Sequence, residues 1–344
     1  MAPAPTPVGA LLKKLEEASL ATRPHHDSDK AYIRAADAGA KPNLGEVVSK
    51  AANKALGGGI AGAGAMAIQV TTLMWMRTTM NYQYRYGTTT GVALRTLYKE
   101  GGGGLKGVLR FYKGYIPALA QGPLSRFGDT AANAGMLALL DSYDTTKNLP
   151  VAAKTAAAST SAGLFRILLM PVDCVKTTMQ VEGKNGLPML MQKIKTTGPQ
   201  VLWAGSLASA SATIVGHFPW FYTYNTLDAM LPKSDEFATF MGNPLAQKLS
   251  RNALMGFTSS VVSDTCSNSI RVIKTTKQTH SSNITYYAAV QEVIKADGVV
   301  GLFGRGLQTR ILTNGIQGLM FSVMWRLIQD KMAENEKKKA DAAK

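Results

Sequence analysis

The longest uncharged runs of the chain are 55–76 and 202–227, neither of which holds an Asp, Glu, Lys or Arg. Each is long enough to cross the ~30 Å hydrocarbon core of a bilayer, which takes ~20 helical residues. Segments 115–141, 152–173, 251–273 and 307–328 are also mostly apolar or small, but carry one to three charges each. Such charges are costly against lipid and acceptable against a water-filled interior, so these helices should turn one side to a shared polar cavity. Small residues four apart, Gly58/Gly62, Ala157/Ser161 and Gly256/Ser260, predict close helix packing. Long helices are expected over 47–80, 115–141, 152–180, 206–231, 248–278 and 307–331, with a surface helix near 89–99 built on Val92, Leu94, Leu97 and Tyr98.

The pattern recurs. Arg77-Thr78-Thr79-Met80-Asn81 stands 99 residues before Lys176-Thr177-Thr178-Met179-Gln180, and Lys274-Thr275-Thr276-Lys277-Gln278 stands 98 residues after it. Further along, Glu100-Gly101 precedes Phe111-Tyr112-Lys113-Gly114, Thr197-Gly198 precedes Leu202-Trp203-Ala204-Gly205, and Asp297-Gly298 precedes Phe303-Gly304-Arg305-Gly306. A basic signature, a polar loop, a closing glycine and an apolar helix thus read as one unit written three times, giving six long helices. The expected division is an N-terminal extension over 1–46, repeats over 47–145, 146–240 and 241–330, and a basic tail over 331–344.

Charge supports a membrane domain over several soluble ones. Only 17% of residues are charged, against ~25% in ordinary soluble chains. The net charge is +16, and the stretches 77–113, 176–205 and 274–306 hold 15 Lys or Arg against 4 Asp or Glu. All three stretches fall on one side of a six-helix bundle, which is therefore the positive side. No basic helix or zinc-finger pattern accompanies the charge, which argues against nucleic acid as a partner. Gly57 to Gly62 matches G-x-G-x-x-G formally, but no strand precedes it and no acid occurs between Glu46 and Glu100 to hold a ribose. Cys174 and Cys266 occupy non-equivalent repeat positions and read as reduced core thiols inside helices, with neither a disulfide nor a metal site indicated. No placed nucleophile, metal cluster or phosphate loop suggests an enzyme, and no cofactor is implied.

Pro171, Asp173 and Lys176 satisfy P-x-[DE]-x-x-[KR], and with the later glycine patterns they closely resemble the mitochondrial carrier family over about residues 47–330. The resemblance implies an all-α membrane protein: six tilted transmembrane helices with pseudo-threefold symmetry around a cavity, short surface helices on the matrix side, both termini in the intermembrane space, and alternating access in the inner membrane. It also implies a matrix gate at the signature positions, here Arg77, Asp173, Lys176, Arg271 and Lys274. Repeat 1 has Thr72 and Met74 where the signature has proline and an acid, and repeat 3 has Ser269 and Arg271. One acid therefore meets four bases, and a closed ring would hold uncompensated positive charge. On the opposite side, Asp228 and Arg326 are the one pair that the even helices offer for a second gate.

Counting from the closing glycines, the family's substrate-contact positions fall on Gln121 and Gly122, Ala212 and Thr213, and Thr313 and Asn314. Arg166 and Asp264 occupy equivalent cavity-facing levels, while Arg126 and Asp129 share a helix face, with His217 at the level of Arg126. These charges read either as a site for a zwitterion or small carboxylate, with His217 sensing protons, or as Arg166–Asp264 and Arg126–Asp129 pairs that neutralise each other. Lys113, Gly114, Gly205, Arg305 and Gly306 resemble positions where cardiolipin phosphates meet helix N-termini, although Trp203 and Tyr112 read equally as interfacial anchors. The expected partners are membrane lipids including cardiolipin, a small-molecule substrate, and protein neighbours through 1–46. Two functions follow: a carrier-type transporter of a small polar metabolite, or a non-transporting structural subunit of a larger inner-membrane complex, which the depleted ionic rings favour.

Overall fold

The computed structural model describes residues 59–142, 146–231, 244–318 and 320. These residues are overwhelmingly helical, with no strand among them. The helices are α1 (Gly59–Tyr86), α2 (Thr90–Glu100), α3 (Gly104–Arg110), α4 (Tyr115–Ser142), α5 (Val151–Leu168), α6 (Met170–Glu182), α7 (Gly186–Thr197), α8 (Ser206–Met230), α9 (Pro244–Thr279) and α10 (Tyr286–Gly304). A further helix, α11, covers 307–318. The segments 1–46 and 331–344 lie outside the described residues, as do Arg326 and the side chains of Arg126 and Asp129.

Within the described residues each expected stretch is helical, with one break that the apolar pattern does not mark. The stretch expected as a single helix over 152–180 divides at Leu169 into α5 and α6. Pro171 sits in the first turn of α6, where its missing N–H has no intrahelical role and its fixed φ suits a helix start. Across this break the chain turns by 66° between Ala153–Leu168 and Met170–Thr197.

The signature-bearing helices α1, α6 and α9 each touch the other two. Six signature threonines, Thr78, Thr79, Thr177, Thr178, Thr275 and Thr276, are buried where these helices converge. Threonine suits this place because it is small and can spend its hydroxyl on a nearby carbonyl. Thr79 donates to Trp75 O at 2.8 Å and Thr78 to Phe111 O at 2.7 Å. Around the triangle, Tyr82, Ala93, Leu97 and Phe111 form one apolar cluster, Tyr84, Val272 and Val293 a second, and Cys174, Leu190 and Val201 a third.

The three closing glycines lock this arrangement in cyclic order. Gly114 packs on the backbone of Lys176, Gly205 on Lys274, and Gly306 on Met80 and Tyr84. All three have positive φ, between 65° and 82°. A Cβ there would be strained and would meet the facing helix within 3.3 Å. A second set of glycines, Gly103, Gly198 and Gly298, shares an extended, positive-φ conformation just before the short stretch that leads to each closing glycine. In the first unit that role falls to Gly103 and not to Gly101, because the loop there is longer.

Beside the buried apolar clusters, several large apolar side chains lie outside and several polar ones inside, unlike the usual water-soluble bundle. Leu164, Leu168, Phe218, Tyr222, Leu254 and Leu312 are exposed, while Gln69, Asp173, Ser259, Asp264, Asn268 and Thr313 are buried. Judged by length and composition alone, one described helical stretch, Pro199–Asp228, is apolar enough to cross a membrane, and the bent pair around Leu169 is a second if taken as one span. The polar residues on the inner faces of the other helices lower their mean hydropathy. Cys174 is buried as expected, whereas Cys266 is exposed on α9.

Candidate functional site

Asp173 lies where α6 meets α4 and α9, 5% exposed. Its Oδ1 accepts from Lys176 Nζ at 2.8 Å and from Gln121 Nε2 at 2.7 Å. Oδ2 pairs with Lys274 Nζ at 2.5 Å and accepts from Gln278 Nε2 at 3.3 Å. Lys176 also donates to Gln121 Oε1 at 2.5 Å. One carboxylate thus holds three helices together through two lysines and two carboxamides, which fill its lone pairs and so offset the cost of burying it. Nearby, Asn81 Nδ2 donates to Gln180 Oε1 at 2.6 Å, joining α1 to α6 without charge.

Arg271 has no share in this carboxylate. Its Nε donates to Ser267 Oγ at 3.3 Å on its own helix. The guanidinium lines a cavity of about 140 Å³ together with Gln121, Arg166, Asp173, Thr213, His217 and Lys274, among others. His217 Nδ1 lies 2.9 Å from Ser159 Oγ, linking α8 to α5. Among the described residues, the cavity lining brings Arg166, Arg271 and Lys274 together with the Asp173 carboxylate, which Lys176 and Lys274 share.

A second polar cluster sits between α9 and α11. Asp264 Oδ1 pairs with Arg310 Nε at 2.7 Å, and Oδ2 accepts from Asn314 Nδ2. Arg310 also reaches Tyr84 Oη at 3.5 Å. Across the bundle, Gln69 and Gln317 exchange hydrogen bonds at 2.9 Å and close α1 against α11 without charge.

Three buried cations clamp the free carbonyls at the ends of the signature helices. Arg110 donates to Gln180 O and Val181 O at 2.8 and 2.7 Å. Lys193 donates to Gln278 O and His280 O at 3.1 and 2.7 Å. Arg305 donates to Tyr84 O and Arg85 O at 3.4 and 3.1 Å. Cations at these ends also offset the negative pole of each helix. Arg110 is paired to Glu100 at 3.0 Å and Arg305 to Asp297 at 2.7 Å. The matching acid position beside Lys193 is Thr197, and burial pushes the Lys193 ammonium below the usual lysine range.

The mitochondrial carrier protein profile matches residues 147–235 and 246–336, more than half of the chain. The chain belongs to that family. No curated protein matches it. The first matched region falls within the second unit read from the sequence, the second overlaps the third unit and runs past residue 330, and carriers of this family are multi-pass transporters of the mitochondrial inner membrane, not enzymes.

Within this carrier the sequence-derived residues separate into groups. Gln121, Arg166, Thr213 and His217 line the cavity, joined there by Asp173, Arg271 and Lys274 of the signature positions. Gly122 instead lies against Met66. Thr313 donates to Thr309 O at 2.6 Å on its own helix, and Asn314 is engaged by Asp264. The expected Arg166–Asp264 pair is replaced by Arg310–Asp264, because Arg310 stands across from Asp264 on the adjoining helix. Arg305, expected at a lipid phosphate, is buried and spends its guanidinium on Asp297 and two carbonyls. Gly114, Gly205 and Gly306 serve helix packing, and Lys113 follows Arg110 and Phe111 at the end of that short helix. On the far side, Asp228 pairs with Arg251 at 2.6 Å on α9. Arg251, Arg310 and the carbonyl clamps were not anticipated. The signal in the sequence that could have found the first two is the presence of an arginine on each of α9 and α11 facing an acid on a neighbouring helix.

Proposed function

We propose that this carrier moves a small polar metabolite across the mitochondrial inner membrane by alternating access. Six spanning helices in three repeats, 47–145, 146–240 and 241–330, surround its path, with both termini in the intermembrane space and cardiolipin among its lipids. The observation that carries this reading is the polar cavity beside the Asp173 cluster, closed at one end where the signature helices α1, α6 and α9 converge. Exposed large apolar side chains around buried polar ones suit a bilayer outside and water inside. The cyclic packing of Gly114, Gly205 and Gly306 supports the threefold reading. In the cycle, breaking the Asp173–Lys176 and Asp173–Lys274 pairs would let α6 and α9 part and open the cavity toward the positive loops.

The deciding experiment is reconstitution of the full-length protein in cardiolipin-containing liposomes with a panel of amino acids, short carboxylates, phosphate and nucleotides. Saturable uptake or exchange of one class is the expected result. Absence of saturable flux for every class, with stoichiometric co-purification in a respiratory complex, would overturn transport in favour of a structural subunit docked through 1–46.

A further inference from the structure

The three units read from the sequence meet at three seams on the positive side, and the seams are built unequally. Between the first and second units, Arg110 bonds to the carbonyls of Gln180 and Val181 with Glu100 behind it at 3.0 Å. Asn81 also donates to Gln180 there, at 2.6 Å. Between the third and first units, Arg305 bonds to the carbonyls of Tyr84 and Arg85 with Asp297 behind it at 2.7 Å. Arg85 pairs with Glu292 at 2.5 Å, and the hydroxyls of Thr90 and Thr309 lie 2.9 Å apart. Between the second and third units the clamp is Lys193 on Gln278 O and His280 O. Thr197 stands at the place of the acid, and the Asp173–Lys274 pair crosses the same seam.

An ammonium is a compact, rotatable donor, whereas a guanidinium fork meets two acceptors in fixed geometry and a carboxylate behind it holds the fork in place. The second-to-third seam therefore has the loosest clamp. The signature helices differ in the same sense. Both α1 and α9 run unbroken through the signature site, where Thr72 and Ser269 replace proline, and Thr72 Oγ1 donates to Ile68 O at 2.8 Å. By contrast α6 is a separate segment, which starts after the break at Leu169 with Pro171 in its first turn and a bend of 66°. Proline removes a rung of the helical ladder, so the chain bends more readily here than in α1 or α9. The short helix α7 goes with α6, since Leu190 is buried against Cys174 and Val201. A turn of α6 about Leu169 thus carries Lys193 along, and the bonds from Lys193 to the end of α9 must break.

We propose that the positive side opens at this one seam: α6 and α7 swing away from α9 about Leu169, Lys193 is the latch that lets go, and α1 stays joined to both neighbours as a fixed post. Within the alternating-access reading on which it rests, this motion is one-sided, whereas three alike units would part equally.

The test places pairs of nitroxide labels on the full-length protein in cardiolipin-containing liposomes. The labelled variants are Thr89→Cys beside α1, Lys184→Cys after α6 and Ser281→Cys after α9, all at exposed positions. Cys266→Ser removes the exposed native thiol, and Cys174 is buried. Distances are read by pulsed electron spin resonance. With Lys193 in place, the 184–281 distance should show a second population longer by about 5 Å, the scale on which packed helices shift in switching bundles. The 89–184 and 89–281 distances should keep one population each. Lys193→Gln should enrich the longer population about tenfold, the shift expected for one charge-assisted hydrogen bond lost. Lys193→Arg, which puts a fork on the two carbonyls, should deplete it. A clamp that served stability alone would lower the unfolding midpoint of Lys193→Gln without moving the populations. If that variant does not fold, Lys274→Gln removes the ion pair of the same seam, leaves Asp173–Lys176 intact and takes its place. Lengthening of all three distances together, or the same populations in the Gln and Arg variants, overturns the proposal. Saturable flux with equal lengthening would leave transport standing without the one-sided seam. A long population confined to the 184–281 pair, in a protein that carries no class of solute, would do the reverse.

Discussion

Asp173 and Asp264 are both buried carboxylates facing the interior, yet their surroundings differ in one respect. Asp264 forms an ion pair with one cation, Arg310, has Asn314 as a neutral second partner, and has Arg271 within electrostatic reach. Asp173 has two lysines, with Arg271 lining the same cavity and Arg77 within electrostatic reach of Lys176. The first arrangement is what a permanent contact between α9 and α11 needs. The second divides one carboxylate between two lysines on two helices, an arrangement suited to the joint that parts in the proposed cycle. On the proposed alternating-access reading, the static joint falls to Asp264 and the moving joint to Asp173.

The sharpest way to break the contrast is to remove the shared charge. Asp173→Asn strands Lys176 and Lys274 in the interior, and the expected loss is about 3–5 kcal/mol, the range for a buried pair deprived of one partner. Unfolding in detergent with a chemical denaturant measures it. Asp264→Asn strands one cation where Asp173→Asn strands two, and should cost about 3 kcal/mol, near the low end of that range. Here the double variant Asp264→Asn with Arg310→Leu should recover much of the loss, because no charge remains to be paired. If Asp264→Asn costs more than Asp173→Asn, the division into static and moving joints fails.

The same contrast was only half legible in the sequence. The threefold recurrence, the long helices and the isolation of Asp173 among bases all followed from spacing, since a signature at 99- and 98-residue intervals leaves little freedom in how the units align. Arg310 escaped because it sits four residues beyond Gly306, short of the contact positions at seven and eight, and its partner belongs to another helix. Gln69 and Gln317 left no trace, as two uncharged residues 248 apart carry no periodic mark. The break at Leu169 was hidden for a different reason, in that apolar periodicity continues through it while the backbone does not. Gly101 was mistaken for Gly103 because extra glycines satisfy the same local pattern, and only φ and ψ tell them apart.

A smaller effect sharpens the comparison at the helix ends. Arg110 and Arg305 each have a carboxylate partner, Glu100 and Asp297, that is more than a third exposed as a side chain. Replacing either acid by its amide leaves the arginine bonded to its two carbonyls, so Glu100→Gln and Asp297→Asn should cost only about 1 kcal/mol. Equal, modest losses in the denaturant midpoint are expected. A loss as large as that of Asp173→Asn would show that these acids carry the clamps.

Lys193 is the third clamp, without such an acid, and it yields the smallest and most specific effect. Burial lowers its affinity for a proton in the folded protein, while the unfolded chain keeps the ordinary lysine value near ~10.4. Between the lowered value and that upper limit the unfolded state binds more protons, so stability should rise with pH through that window and level off above it. Thr197→Glu places a carboxylate one helical turn from Lys193, favours the ammonium and should flatten the rise while adding ~0.3–0.5 kcal/mol at neutral pH. Lys193→Gln should remove the rise altogether. Denaturant midpoints at half-unit steps from pH 7 to pH 10, read as differences from each variant, isolate this one group from the other lysines, and parallel curves for all three proteins would mean that Lys193 is held by its carbonyls as comfortably as the two arginines are.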